Sequence, residues 1–235
     1  MICKNGILLS SVLFGSTARG DDDLMSDLDV LGIVLNNTGI VAERELIAHL
    51  PASLTNRKPT ISWYGLNRLQ TMYQDGELFS WHIYLEGKPL FGNKIIKSLG
   101  TPQPYRHALE DIDMFISTMS SVPSQMNKAH NNAIYELGVM YVCTRNIAMS
   151  ASWHLKKKPD FSRYSPFNFD NTTICCPLSR KAYERSMKCR AASQRGAPPP
   201  ADIRADEVFD FFDTVSPWAG ELRRWVQKEI NNGAS

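Results

Sequence analysis

The sequence predicts an α+β protein: a small mixed sheet with helices over residues 1–97, followed by an all-helical domain over residues 104–235. Three observations carry this. Short apolar or alternating runs bounded by turn residues crowd the first hundred positions. From Tyr105 onward the pattern is helical, broken by loops. Between the two lies Gly100-Thr101-Pro102-Gln103-Pro104, which reads as a linker.

The elements follow in order. Ile7 to Phe14 is a nearly continuous apolar run ending at Gly15, which suits a buried strand. Val30 to Leu35 is the second such run, and Asn36-Asn37-Thr38-Gly39 is a turn. Val41 to Leu50 has helical spacing and stops at Pro51. Lys58 to Tyr64 alternates, with Ile61 and Trp63 on one face and Thr60, Ser62 and Tyr64 on the other, as a third strand does. Leu66–Tyr73 and Leu78–Leu85 read as short helices around Gln74-Asp75-Gly76. Gly87–Gly92 reads as an edge strand, because Pro89 excludes a central one. In the second domain, helices are expected over Tyr105–Met119, Asn131–Trp153, Leu178–Ala192 and Ile203–Phe212. A separate last helix is expected to start at Ser216-Pro217 and to carry a stripe of Trp218, Leu222, Trp225, Val226 and Ile230. That stripe is core, or else the face of a homodimer. Phe161 to Ile174 has no period and reads as a loop.

The chain has 235 residues, enough for one large or two small domains. Its net charge of +2 argues for no particular partner, but the charges are unevenly placed. Asp21, Asp22, Asp23, Asp27 and Asp29 make one region acidic. Lys156, Lys157, Lys158, Arg180, Lys181, Arg185, Lys188, Arg190 and Arg195 make later segments basic. The five cysteines (Cys3, Cys143, Cys175, Cys176, Cys189) are odd in number and lack C-x-x-C spacing, so neither a disulfide framework nor a zinc site is indicated. Reduced thiols fit a cytoplasmic protein. No stretch has signal-peptide character or the length to span a bilayer, so no membrane partner is expected.

The chemistry concentrates between the first two strands. Gly15-Ser16 places a residue without a side chain and a small hydroxyl where the first strand ends, and backbone N–H groups at such a turn can face an anion. Asp27 and Asp29 stand at the start of the second strand. Residues i and i+2 of a strand point to the same side, so two carboxylates are held together beside the turn. Like charges that close repel, and Mg2+ accepts one or two carboxylates completed by substrate phosphates.

The string from Phe14 to Val34, an apolar strand, then Gly15-Ser16-Thr17-Ala18-Arg19-Gly20, then Ser26-Asp27-Leu28-Asp29 and a second apolar strand, resembles the polymerase-β-like nucleotidyltransferase superfamily. It is most similar to the minimal branch, which includes the small antitoxin-type and the aminoglycoside nucleotidyltransferases. The resemblance implies a nucleotidyltransferase domain over residues 1–97 and a helical domain over 104–235 that forms part of an acceptor cleft. It implies transfer of an NMP, foremost AMP from ATP, onto a hydroxyl of a small molecule such as an aminoglycoside, or of a protein or RNA. Asp27 and Asp29 would be catalytic and would hold Mg2+, with two ions allowed, and Gly15, Ser16 and Arg19 would bind the nucleotide.

Each residue also has a plainer reading. A lone Asp-x-Asp is more often a solvated strand start, whereas the attached Gly-Ser turn favours metal binding. Arg19 either touches phosphate, holds Asp27 or forms a structural salt bridge that fixes the turn. Asp21 to Asp23 read as a solvated charge run. Family members carry a third carboxylate on a later strand, and the matching strand here offers Thr60 and Ser62 instead. Base candidates from elsewhere are Glu77, Glu86, Glu136, His82 and His130. Glu136 lies off the apolar stripe of its helix and is expected on the surface. Arg145, on that stripe, either faces the acceptor cleft or pairs with a buried carboxylate. Lys156 to Lys158 suit a helix C-terminus, with triphosphate contact as the sharper alternative. The missing acid sustains a second functional reading: a catalytically weakened module of the same fold that binds nucleotide or a partner. A synthase of oligonucleotides ranks below both.

Overall fold

The computed structural model describes residues 6–23, 26–128, 130–156, 158–170 and 172–233. Cys3, Lys157 and the side chain of His130 lie outside the described residues. The chain divides into two compact units, Met1–Arg106 and His107–Ser235.

The first unit is built on a four-stranded mixed sheet of strand order β3-β2-β1-β4. β1 (Leu8–Leu13) pairs antiparallel with β2 (Leu28–Val34) and with β4 (Lys88–Phe91), while β2 pairs parallel with β3 (Pro59–Gly65). Alternation sends the two faces to two cores. Val12, Phe14, Leu31 and Ile33 pack on one side with Leu69, Met72 and Ile83 from α3 (Leu66–Gln74) and α4 (Leu78–Glu86). Leu13, Leu28 and Val30 pack on the other with Ala18, Leu46, Ile61 and Trp63. β4 takes the edge, where Pro89 is tolerated.

Four local expectations change. The segment after β1 is a one-turn helix, α1 (Gly15–Arg19), closed by Gly20 in the left-handed region. The helix read over Val41–Leu50 shrinks to α2 (Glu43–Ile47), followed by a 3-10 turn over Ala52–Leu54. A further helix, α5 (Asn93–Leu99), follows β4. Residues 100–104 are not a free linker. Gln103 donates its backbone N–H to the Tyr73 carbonyl at 2.8 Å, and Trp81 Nε1 donates to the Gln103 carbonyl at 2.9 Å.

The second unit is helical: α6 (Ala108–Lys128), α7 (Ala133–Leu155), α8 (Arg180–Arg195) and α9 (Ala205–Gly233). α7 packs against the other three. The loop read over Phe161–Ile174 carries 3-10 turns at Ser165–Phe167 and Thr172–Ile174. α9 corrects the expectation of two helices: it runs unbroken with Pro217 inside. A proline within a helix costs about 3 kcal/mol. Val208, Phe211, Val215, Trp218, Leu222 and Val226 form one buried stripe across the break, and each large apolar side chain contributes about 1.5–3 kcal/mol. Packing therefore outweighs the proline. Trp218 is 5% exposed and donates its Nε1–H to the Ile174 carbonyl at 2.9 Å, which makes it a core residue.

Candidate functional site

The candidate site lies at one end of the sheet in the first unit. The antiparallel register sets Leu13 opposite Val30, so the end of β1 meets the start of β2. The Phe14 backbone N–H donates to the Asp29 carbonyl at 3.1 Å. The next residue, Gly15, has φ +73, a conformation that favours glycine. A Cβ there would stand 2.7 Å from Asp29 Oδ2. Glycine thus serves two ends: it turns the chain, and it lets a carboxylate close onto the turn. Thr17 Oγ1 donates to the Asp27 carbonyl at 3.4 Å and ties the one-turn helix to the segment before β2. Gly15, Ser16, Asp27 and Asp29 are brought to one place. Ser16 and both aspartates are half-buried.

Arg19 ends the one-turn helix. Its Nε donates to Asp21 Oδ2 at 3.2 Å and its Nη1 to Glu86 Oε2 at 2.6 Å. Glu86 also accepts from His82 Nε2 at 2.9 Å. Burial raises the pKa of the Glu86 carboxyl, but His82 and Arg19 together bring it below the ordinary value. Burial lowers the Arg19 pKa, and Glu86 and Asp21 more than restore it. Glu86 was one of several base candidates in the sequence. Its ion pair with Arg19, 67 positions away, carries no local sequence signal.

The acidic run is not simply solvated. Asp22 pairs with Arg57 at 2.7 Å, and Arg57 Nη2 donates to the Ser26 carbonyl at 2.9 Å. Asp23 accepts from Ser26 Oγ at 2.9 Å. These contacts hold the connector that delivers Asp27. Glu77 is engaged by Arg68 at 2.7 Å.

The parallel register sets Asp29 opposite Thr60 and Leu31 opposite Ser62. Thr60 therefore shares the face of Asp29, where no acid stands. Among the described residues no three His, Cys, Asp or Glu side chains are grouped to hold a metal. Two carboxylates at a turn whose glycine leaves room against Asp29 suit a cation completed by ligand oxygens, which is the arrangement Mg2+ takes with phosphates.

Glu136 and Arg145 belong to the second unit. Glu136 is 4% exposed, so the surface expectation is corrected; burial raises its carboxyl pKa. Arg145 bonds backbone carbonyls in place of the buried carboxylate expected as one of its partners. It donates to the Phe161 carbonyl at 2.8 Å and the Ser162 carbonyl at 3.4 Å, holding the loop after α7. Lys156 donates to Asp160 at 3.1 Å and to the Asn168 carbonyl at 2.5 Å in the same loop. Arg185 pairs with Glu207 at 2.7 Å and donates to the Ala201 and Asp202 carbonyls.

Compared with known proteins, the chain matches no family model and no curated protein sequence. Among the described residues no helix is long and apolar enough to cross a membrane.

Proposed function

We propose that the protein is a Mg2+-dependent nucleotidyltransferase that moves an NMP, foremost AMP from ATP, onto an acceptor hydroxyl. The observation that carries this reading is the closure of Asp29 onto Gly15, with the Phe14–Asp29 backbone bond beneath it. It joins a Gly-Ser turn to a pair of carboxylates, and nucleotidyl transfer needs both: donors for phosphate oxygens and carboxylates for a cation. Asp27 and Asp29 would hold Mg2+, which when bound neutralises the triphosphate and polarises the α-phosphate. Ser16 and the backbone N–H groups of the turn would bind the outer phosphates. In the reaction the acceptor oxygen forms a bond to the α-phosphorus. The bond from that phosphorus to the β-bridging oxygen breaks, pyrophosphate leaves with the electron pair, and the hydroxyl proton passes to solvent or substrate phosphate.

The register favours a second reading. Thr60, opposite Asp29, occupies the face where a third carboxylate would serve, and its absence suits a module that binds nucleotide and turns over weakly or not at all. One experiment separates the two. The purified chain is incubated with each α-labelled NTP and Mg2+, with cell extract and with aminoglycosides, beside Asp27→Asn/Asp29→Asn. Label that moves to an acceptor and is lost in the double variant supports the enzyme. Nucleotide binding without transfer supports the module, and Thr60→Asp is then expected to raise transfer above the wild-type level.

A further inference from the structure

The sheet register places a second acidic group on the far side of the β1 end. Leu13 pairs with Val30 on one side and with Lys88 on the other. Asp29 and Glu86 therefore flank the strand end from which the turn departs. Glu86 ends α4, and that helix is held firmly there. Ile83 is buried in the core under the sheet, and the Phe14 ring meets Phe79 and His82 edge-on at 5.6 and 5.5 Å. His82 holds Glu86 Oε2 at 2.9 Å, and Glu86 holds Arg19 Nη1 at 2.6 Å. The Glu86 side chain is only 16% exposed, whereas that of Asp21, the other partner of Arg19, is 50% exposed. The Arg19–Glu86 bond is thus the ordered member of the two.

We propose that Glu86 is a positioning residue for phosphate recognition: it holds Arg19 by Nη1 at the end of the Gly-Ser turn and leaves Nη2 to meet a phosphate oxygen of the nucleotide. This rests on the nucleotide-binding reading above. Among the described residues no protein oxygen accepts from Nη2, while Nε and Nη1 are both taken. An unrestrained arginine gives up its rotamer freedom when a ligand fixes it. A guanidinium fixed beforehand by a buried carboxylate gives up less, and this is how preorganisation raises affinity. Glu86 acts through Arg19 and does not itself touch the nucleotide.

The charge arithmetic makes the test a test of sign. Arg19, Asp21 and Glu86 sum to −1, and an anion approaching them is repelled by Glu86. On charge alone, removing Glu86 tightens binding of a triphosphate. Positioning predicts the reverse. Binding of a fluorescent ATP analogue with Mg2+ is measured for wild type, Arg19→Ala, Glu86→Ala, Glu86→Gln and Arg19→Ala/Glu86→Ala, each checked for folding by its thermal transition. Expected are weakening of about tenfold for Arg19→Ala, about fivefold for Glu86→Ala, and partial recovery with Gln, which keeps an acceptor oxygen. The double variant is expected to bind like Arg19→Ala alone, since a residue acting through another adds nothing once that other is gone. If Glu86→Ala does not fold, Glu86→Gln carries the comparison, again with weakening expected. Unchanged or tighter binding without the Glu86 carboxylate, or losses that multiply in the double variant, overturns the role while leaving nucleotide binding intact. Absence of binding by the wild type overturns the nucleotide reading and this role with it.

Discussion

Two arginines looked alike in the sequence, and their surroundings separate them. Arg19 stands at a site rich in carboxylates: Asp27 and Asp29 at the sheet end, Asp21 and Glu86 on the arginine itself. Arg145 stands where cations are consumed internally, on the carbonyls of Phe161 and Ser162, and Lys156 beside it is spent on Asp160 and Asn168. A cation bonded to backbone carbonyls stitches a loop whose short 3-10 turns leave such carbonyls outside any helix or sheet ladder. The carboxylate pair of Asp27 and Asp29 stands instead beside a glycine turn, with Gly15 leaving room against Asp29. The first arginine is held by carboxylates, the second by backbone carbonyls.

The largest effect is expected where the comparison is sharpest. Asp29→Asn keeps the shape and removes the charge, and transfer is expected to fall about 100- to 1000-fold, the scale of losing several kcal/mol of charge stabilisation. Gly15→Ala gives a loss of similar size by a different route: its Cβ would meet Asp29 Oδ2 at 2.7 Å, and its φ of +73 costs about 1–2 kcal/mol for any other residue. The thermal transition of both variants stays close to that of wild type, within the few degrees that 1–2 kcal/mol produces in a chain of this length. A Gly15→Ala protein with full activity would show that the closure of Asp29 on the turn is incidental.

The second unit should answer in stability. Lys156→Met takes the cation from the half-buried Asp160 carboxylate, which keeps its bonds from Ser162 and Asn168, and the donor from the Asn168 carbonyl, and a cost of about 2–3 kcal/mol is expected in denaturant unfolding, with ATP affinity within twofold of wild type. Burial raises the Asp160 carboxyl pKa, but hydrogen bonds from Ser162, Asn168 and Lys156 bring it below its ordinary value of 3.8. A depressed pKa contributes stability that is present above the unfolded value and lost as pH falls through the folded one. The stability gap between wild type and Asp160→Asn is therefore expected to be full at pH 6, to begin to narrow near the unfolded value of about 4 and to close as pH falls through the lowered folded value. A gap that does not narrow as the pH is taken well below 4 excludes the carboxylate as its source.

Much of the first unit was legible because its signals are local. The apolar runs of β1 and β2, the alternation of β3 and Pro89 at the edge each report a strand within a few residues. The Gly-Ser and Asp-x-Asp pairing was legible for the same reason. The Arg19–Glu86 bond was not, because it joins elements 67 positions apart and depends on β4 returning beside β1. α9 was misread because a breaker residue was given more weight than the stripe that runs through it, from Val208 to Val226. α7 was misread differently. Ala133, Glu136, Leu137, Met140, Cys143, Thr144 and Ile147 are all buried, so three neighbouring helices cover it on nearly every side and a one-stripe reading put Glu136 on the wrong one.

Glu136 supplies the smallest effect and a check on that last point. Its carboxyl pKa is raised by burial alone, so the folded chain holds the proton to a higher pH than the unfolded chain does. Between the ordinary value of 4.5 and the raised one, the folded state binds more protons, and stability falls as pH rises through that window. Above it, the wild type carries a buried charge that Glu136→Gln does not. The variant is expected to melt about 2 °C higher than wild type at pH 8 and equally at pH 4, since the neutral acid and the amide are nearly the same size. Arg145 and Lys156 cannot supply the compensation, because both are committed to the loop after α7. A variant that melts lower at pH 8 would mean that the ionised carboxylate has a cationic partner, and Glu136 would then belong with Asp160 among the groups that hold the second unit together.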